Sequence, residues 1–236
     1  MSDATRQLVE NLNALAAGLF LLTSFGIVAM RQARGCLTLF IVQSLLLAAS
    51  AALLGLRFGS GHLYGVALVN LITKPVIVPW LLRKVAPAGL YTRREVDQVL
   101  NIPTTLLIAL ALAIGAYFLG VPLSRAVGME YQGPNVPIGI AGLLLGAFTL
   151  TVRREALPLL IGLLAMENGA FLAGILIAHD LSMLVELAIA TDGLIIVFIV
   201  GVLVRAVAQQ VGTTAVGELA SLKEGPARRS APEAGP

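Results

Sequence analysis

Cys36–Leu56 reads CLTLFIVQSLLLAASAALLGL, an apolar run without a single charge. About 20 predominantly apolar residues suffice to carry an α-helix across a hydrocarbon core roughly 30 Å thick. Before and after this run, six further segments of the same character appear: Leu12–Met30, His62–Leu82, Ile102–Leu119, Val136–Val152, Leu157–Ala178 and Ser182–Val204. The Val136–Val152 segment is the shortest. It opens beside Pro134 and Pro137, and proline suits a helix start because the donor it lacks would be unpaired there. The pattern predicts an all-α, polytopic membrane protein with seven transmembrane helices.

Composition agrees. Of 236 residues, 58% are hydrophobic and 12% charged, and the mean hydropathy is +0.91. A water-soluble domain has no means of burying so much apolar surface. The net charge of +3 does not imply nucleic acid, because the basic residues sit in short clusters between apolar segments, where they report orientation. One set holds Arg31, Arg34, Arg83, Lys84, Arg93, Arg94, Arg153, Arg154, Arg205, Lys223, Arg228 and Arg229; the opposite side holds only Arg6, Arg57 and Arg125. By the positive-inside rule the larger set faces the cytoplasm, which puts the N-terminus out and the C-terminus in. The positive charges follow the first apolar stretch, whereas a cleavable signal peptide carries them before it.

This pattern divides the chain into an N-terminal three-helix segment (1–84), a surface linker with the fourth helix (85–135), a second three-helix segment (136–207) and a cytoplasmic tail (208–236). The tail ends in EGPARRSAPEAGP, a composition too poor in apolar residues to order itself. Loops this short leave no room for a soluble catalytic domain. The longest cytoplasmic connection, Arg83–Asn101, is expected to lie along the membrane surface.

Ionisable residues within spans are costly and survive mainly where they act or are paired. Four stand out: Lys74 near the middle of the third span, Glu167 near the middle of the sixth, Asp192 near the middle of the seventh, and Glu186 in the seventh, about 9 Å nearer the outer face. Lys74, Glu167 and Asp192 share one depth. A lysine and two acids at the midplane suit a buried ion pair or a short proton relay. A dry clasp that holds helices in register is the plainer reading, but one lysine does not neutralise three acids. Asn70, one turn before Lys74, and Asn168, beside Glu167, add polar neighbours.

Lys74 is followed by Pro75 and, one turn later, Pro79. Each deletes a backbone hydrogen bond, so the helix is expected to bend or open beside the lysine. Gly162, Gly169 and Gly174 in the sixth span, with Gly193 and Gly201 in the seventh, predict close helix contacts. His62 and His179 fall at outer ends of spans, and two separate histidines do not make a metal site. Cys36 is a single thiol, read as a small apolar helix residue. No metal or cofactor is expected on this chain.

The stretch Val152–Leu203 resembles component E of hydrogenase-4, a membrane subunit of formate-hydrogenlyase-type group 4 nickel–iron hydrogenases. The matching pieces are MENG around Glu167, LVELAIATD at Leu184–Asp192, LITKPVIVPWLL around Lys74, and VGELASLK at Val216–Lys223. The last three spans are also similar to the small three-helix K component of respiratory complex I and to the C component of multisubunit Na+/H+ antiporters. There an arginine pair, matched by Arg153 and Arg154, precedes a helix with a mid-membrane glutamate, matched by Glu167. Either Glu186 or Asp192 takes the place of the second acid.

The resemblance implies a non-catalytic subunit in a bacterial or archaeal cytoplasmic membrane. Its implied partners are antiporter-like membrane subunits and, through them, a nickel–iron hydrogenase-like or other redox module. Lys74, Glu167, Glu186 and Asp192 would be its share of a proton or sodium pathway coupled to electron transfer elsewhere. The alternatives are a free-standing secondary transporter and a purely structural scaffold subunit.

Overall fold

A computed structural model describes residues 2–85, 100–126 and 134–177, together with Ile195, Phe198 and Val202. Its elements are α1 (Asp3–Ala29), α2 (Ala33–Phe58), α3 (Gly61–Ile72), a π turn (Thr73–Ile77), α4 (Val78–Val85), α5 (Ile102–Ala126), α6 (Asn135–Val152) and α7 (Ala156–Ile177). The segment α3–π–α4 forms one continuous span. Among the described residues six helices are therefore long and apolar enough to cross a membrane. They correspond to the first six predicted segments. The seventh lies outside the described residues except for Ile195, Phe198 and Val202, which are helical and exposed. The bulk of the Arg83–Asn101 connection, the tail from residue 208, and Glu186, Asp192, His179, Gly193 and Gly201 also lie outside them.

Two helices overrun the lengths read from hydropathy. α1 begins at Asp3, not near Leu12, because its first turns are held by polar contacts that an apolar count ignores. The Ser2 side chain caps the Thr5 N–H, and Arg6 pairs with Glu10 one turn on at 3.4 Å. α5 continues past Leu119 to Ala126 and carries Pro122 inside it. α6 starts at Asn135 with Pro134 as its N-cap and Pro137 in its first turn.

The core sits where α1, α2, α6 and α7 meet, with α3 and the π turn against α2 and α5 against α6. The tightest pairing is α6 with α7, and the reason is the absence of side chains. A methyl group on Gly139 would strike the backbone of Ala173, one on Gly146 the backbone of Met166, and one on Gly169 the backbone of Gly142 and Leu143. Without an apolar-versus-water difference to drive them together, membrane helices gain from such close backbone approach. Gly162 rests on Thr149, whereas Gly174 has nothing within 4 Å among the described residues. α5 stands at the edge, with the smallest buried share of the six.

Candidate functional site: a buried lysine–glutamate pair

Lys74 lies inside the π turn. Pro75 and Pro79 have no N–H to donate to the carbonyls one turn back, and the helix accommodates this by widening. The N–H of Val78 reaches the carbonyl of Thr73, five residues back. The turn points Lys74 into the bundle, where it is 3% exposed. Its Nζ lies 2.9 Å from Glu167 Oε1 and donates to Asn168 Oδ1 at 2.8 Å. The ammonium also stands 5.6 Å from the centre of the Phe171 ring, on the next turn of α7. An ion pair, an amide and an aromatic face together replace the hydration shell that burial removes. Glu167 keeps 22% of its side chain exposed, although its Oε1, which faces Lys74, is buried.

From Asn168 the polar chain continues through α2 to α1. Asn168 Nδ2 donates to Gln43 Oε1 at 3.2 Å and to Ser44 Oγ at 3.1 Å, and Gln43 Nε2 donates to Ser24 Oγ at 2.8 Å. Ser24 in turn donates to the Phe20 carbonyl at 3.0 Å. Every donor points away from Lys74, so the amides orient the site without carrying a titratable proton themselves. A paired, desolvated lysine and carboxylate can exchange a proton or hold a cation; the amide chain keeps that geometry.

A second polar cluster lies nearer the end of the bundle that holds the N-terminus. Asn13 Nδ2 donates to Asn135 Oδ1 at 2.6 Å, Asn135 Nδ2 to Ser50 Oγ at 2.8 Å, and Ser50 Oγ to Asn13 Oδ1 at 2.6 Å. This closed ring ties α1, α2 and α6. Beyond it, towards the same end, Arg57 Nε meets Glu10 Oε1 at 2.7 Å. At the opposite end Arg153 is buried, and its Nη2 donates to the carbonyls of Ile27 and Val28, both at 2.9 Å, and of Met30. These acceptors are at the C-terminus of α1, the negative end of its dipole. Burial lowers the Arg153 pKa from its ordinary value, and nearby Glu155 opposes the shift.

Of the sequence-predicted site residues, the structure thus brings Lys74 and Glu167 together and places Pro75 and Pro79 beside them. Asn70 is buried but donates to its own helix, at the Val66 carbonyl. Glu186 and Asp192 lie outside the described residues. Sequence reading missed Ser24, Gln43, Ser44 and the Asn13–Ser50–Asn135 ring. Their signal was the spacing of Gln43 and Ser50 two turns apart on one face of α2. Among the described residues no group of three or more His, Cys, Asp or Glu side chains gathers to hold a metal ion.

No family model matches the chain, and no solved structure does. It is 29% identical over 210 residues to the uncharacterised protein Rv0085 of Mycobacterium tuberculosis, covering 89% of this chain and 94% of that one. It is 30% identical over 217 residues to hydrogenase-4 component E of Escherichia coli K12, covering 88% of this chain and 95% of that one; the Shigella flexneri protein of the same name matches equally. A likeness that runs the length of both chains, in a protein of membrane-length helices, establishes that this chain belongs to the hydrogenase-4 component E family.

Proposed function

We propose that this chain is a non-catalytic membrane subunit of a hydrogenase-like or complex-I-like oxidoreductase assembly in a bacterial or archaeal cytoplasmic membrane, and that it contributes to proton or sodium translocation driven by electron transfer in other subunits. The observation that carries the reading is the Lys74–Glu167 pair, buried at mid-bundle beside a π turn and oriented by Asn168. Isolated charges at that depth are expensive, and a pair whose glutamate side chain is 22% exposed can change its protonation without breaking the fold. The family name supplies the host: hydrogenase-4 component E is by its name one component of a larger assembly. No cofactor is assigned to this chain; the redox centres belong to its partners. In this reading Glu186 and Asp192 continue the charge path. The basic residues favour an N-terminus outside, which puts the Asn13–Ser50–Asn135 ring on the outer side of the pair.

The test begins with a tag on the C-terminus, purification in mild detergent, and identification of what comes with the chain. Antiporter-like membrane subunits with a redox module are expected, and a homogeneous preparation of this chain alone would overturn the assembly reading. In the recovered assembly Glu167→Gln and Asp192→Asn should leave electron transfer running but abolish its coupling to ion movement. Full coupling in both variants, and in Lys74→Met with Glu167→Gln, would leave a purely structural role.

A further inference from the structure

Among the described residues, the polar chain at Lys74 and the polar ring at Asn13 share no side chain in the hydrogen bonds that build them. Between them lie Phe20 of α1, Leu47 of α2 and Leu172 of α7, each no more than 1% exposed, with Ile138 of α6 packed against them. The register repeats on each helix. On α2 the order is Gln43 and Ser44, then Leu47, then Ser50; on α1 it is Ser24, then Phe20, then Asn13; on α7 Leu172 is one turn beyond Asn168. The apolar layer is about 9 Å thick measured from Ser44 to Ser50 along α2.

Phe20 closes this layer in two ways. Its ring lies against Gly142 of α6, where an added methyl group would meet Phe20 Cε1, and Gly142 in turn abuts Gly169. The ring therefore fills the space beside Gly142. Its carbonyl is the final acceptor of the chain from Lys74, taking hydrogen bonds from Ser24 and Thr23. A rearrangement at Lys74 that shifts Gln43 and Ser24 is thereby felt at the residue that plugs the layer.

We infer that Phe20, with Leu47 and Leu172, is the barrier that seals the Lys74–Glu167 site from the outer polar ring, and that protons cross only when water enters this layer. A proton cannot cross such a dry layer without a water chain, and apolar constrictions of this kind open and close by wetting. The hydroxyls and amides above and below supply the partners that an entering water needs. The inference rests on the proposed translocating role.

The experiment uses the assembly recovered with this chain, reconstituted in liposomes under an imposed pH gradient and without electron donor, so that passive proton leak is read directly. Phe20→Ala is expected to raise the leak about tenfold, as a lowered barrier does, and Phe20→Ala with Glu167→Gln to return it to the wild-type level. Leu47→Asn, which adds a polar group to the layer without emptying it, should also leak and covers the case in which Phe20→Ala fails to assemble. Wild-type leak in assembled Phe20→Ala and Leu47→Asn overturns the barrier, as does a leak that persists in the double variant. If that result comes with loss of coupling in Glu167→Gln, the barrier alone has failed; if Glu167→Gln stays coupled, the translocating role has failed with it.

Discussion

The Lys74–Glu167 pair makes an unequal prediction for its two halves. Glu167→Leu leaves an ammonium that is 3% exposed, with Asn168 Oδ1 and the Phe171 ring as its remaining partners among the described residues. An uncompensated buried charge of that kind costs about 3–5 kcal/mol. Lys74→Met leaves a glutamate whose side chain is 22% exposed and whose carboxylate can take up a proton, so its cost falls to that of an unmatched polar group, about 1–3 kcal/mol. The double variant removes both charges and leaves only Asn168 short of a donor, for about 1–2 kcal/mol. The singles therefore sum to about 4–8 kcal/mol against about 1–2 kcal/mol for the double, and the coupling energy is expected to be about 4–5 kcal/mol. The assay is unfolding of the purified chain in mixed micelles by added denaturing detergent, followed by the fluorescence of Trp80, the single tryptophan, which lies just beyond the π turn. Additivity within about 0.5 kcal/mol, or a larger cost for Lys74→Met than for Glu167→Leu, would refute the reasoning and show that the pair is hydrated, not buried.

Two further outcomes follow from the packing. Arg153→Leu strips the donors from the α1 C-terminus and should cost about 2–4 kcal/mol in the same unfolding assay, with Arg153→Lys recovering only part, because a single ammonium does not reproduce the planar guanidinium fork; wild-type stability in Arg153→Leu would mean that water caps those carbonyls. On α7, Gly169→Ala should destabilise by about 1–3 kcal/mol because its methyl group meets the α6 backbone, whereas Gly174→Ala, which meets none of the described residues, should be neutral or slightly stabilising. Equal effects at the two glycines would contradict the α6–α7 packing.

Whether a property can be read from the chain depends on whether it belongs to one residue or to a pair. Membrane character and the helix at Cys36–Leu56 were legible because apolar length is additive along the chain and needs no partner. Lys74 and Glu167 were legible for the related reason that a charge at mid-span is conspicuous whatever it touches. The neutral residues were not. Serine, asparagine and glutamine are tolerated in membrane helices at modest cost, so Ser24, Gln43 and Asn135 carry no alarm until their helices are assembled.

Arg153 and Arg154 mark the limit most sharply. In sequence they form one basic pair and report topology together, yet Arg153 is buried against the end of α1 while Arg154 is exposed. Which of two adjacent arginines turns inward depends on where another helix ends. The prolines after Lys74 likewise announced a disturbed helix, but a widened turn instead of a break requires neighbours that repair the lost hydrogen bonds. Repeated membrane crossing and charge at mid-span could thus be read from the amino acids alone, since apolar length and desolvation act residue by residue. The meeting of Lys74 with Glu167 and Asn168, and the position of Phe20 between two polar clusters, emerge only when the helices pack, because such contacts depend on helix rotation and register, which the close α6–α7 approach sets.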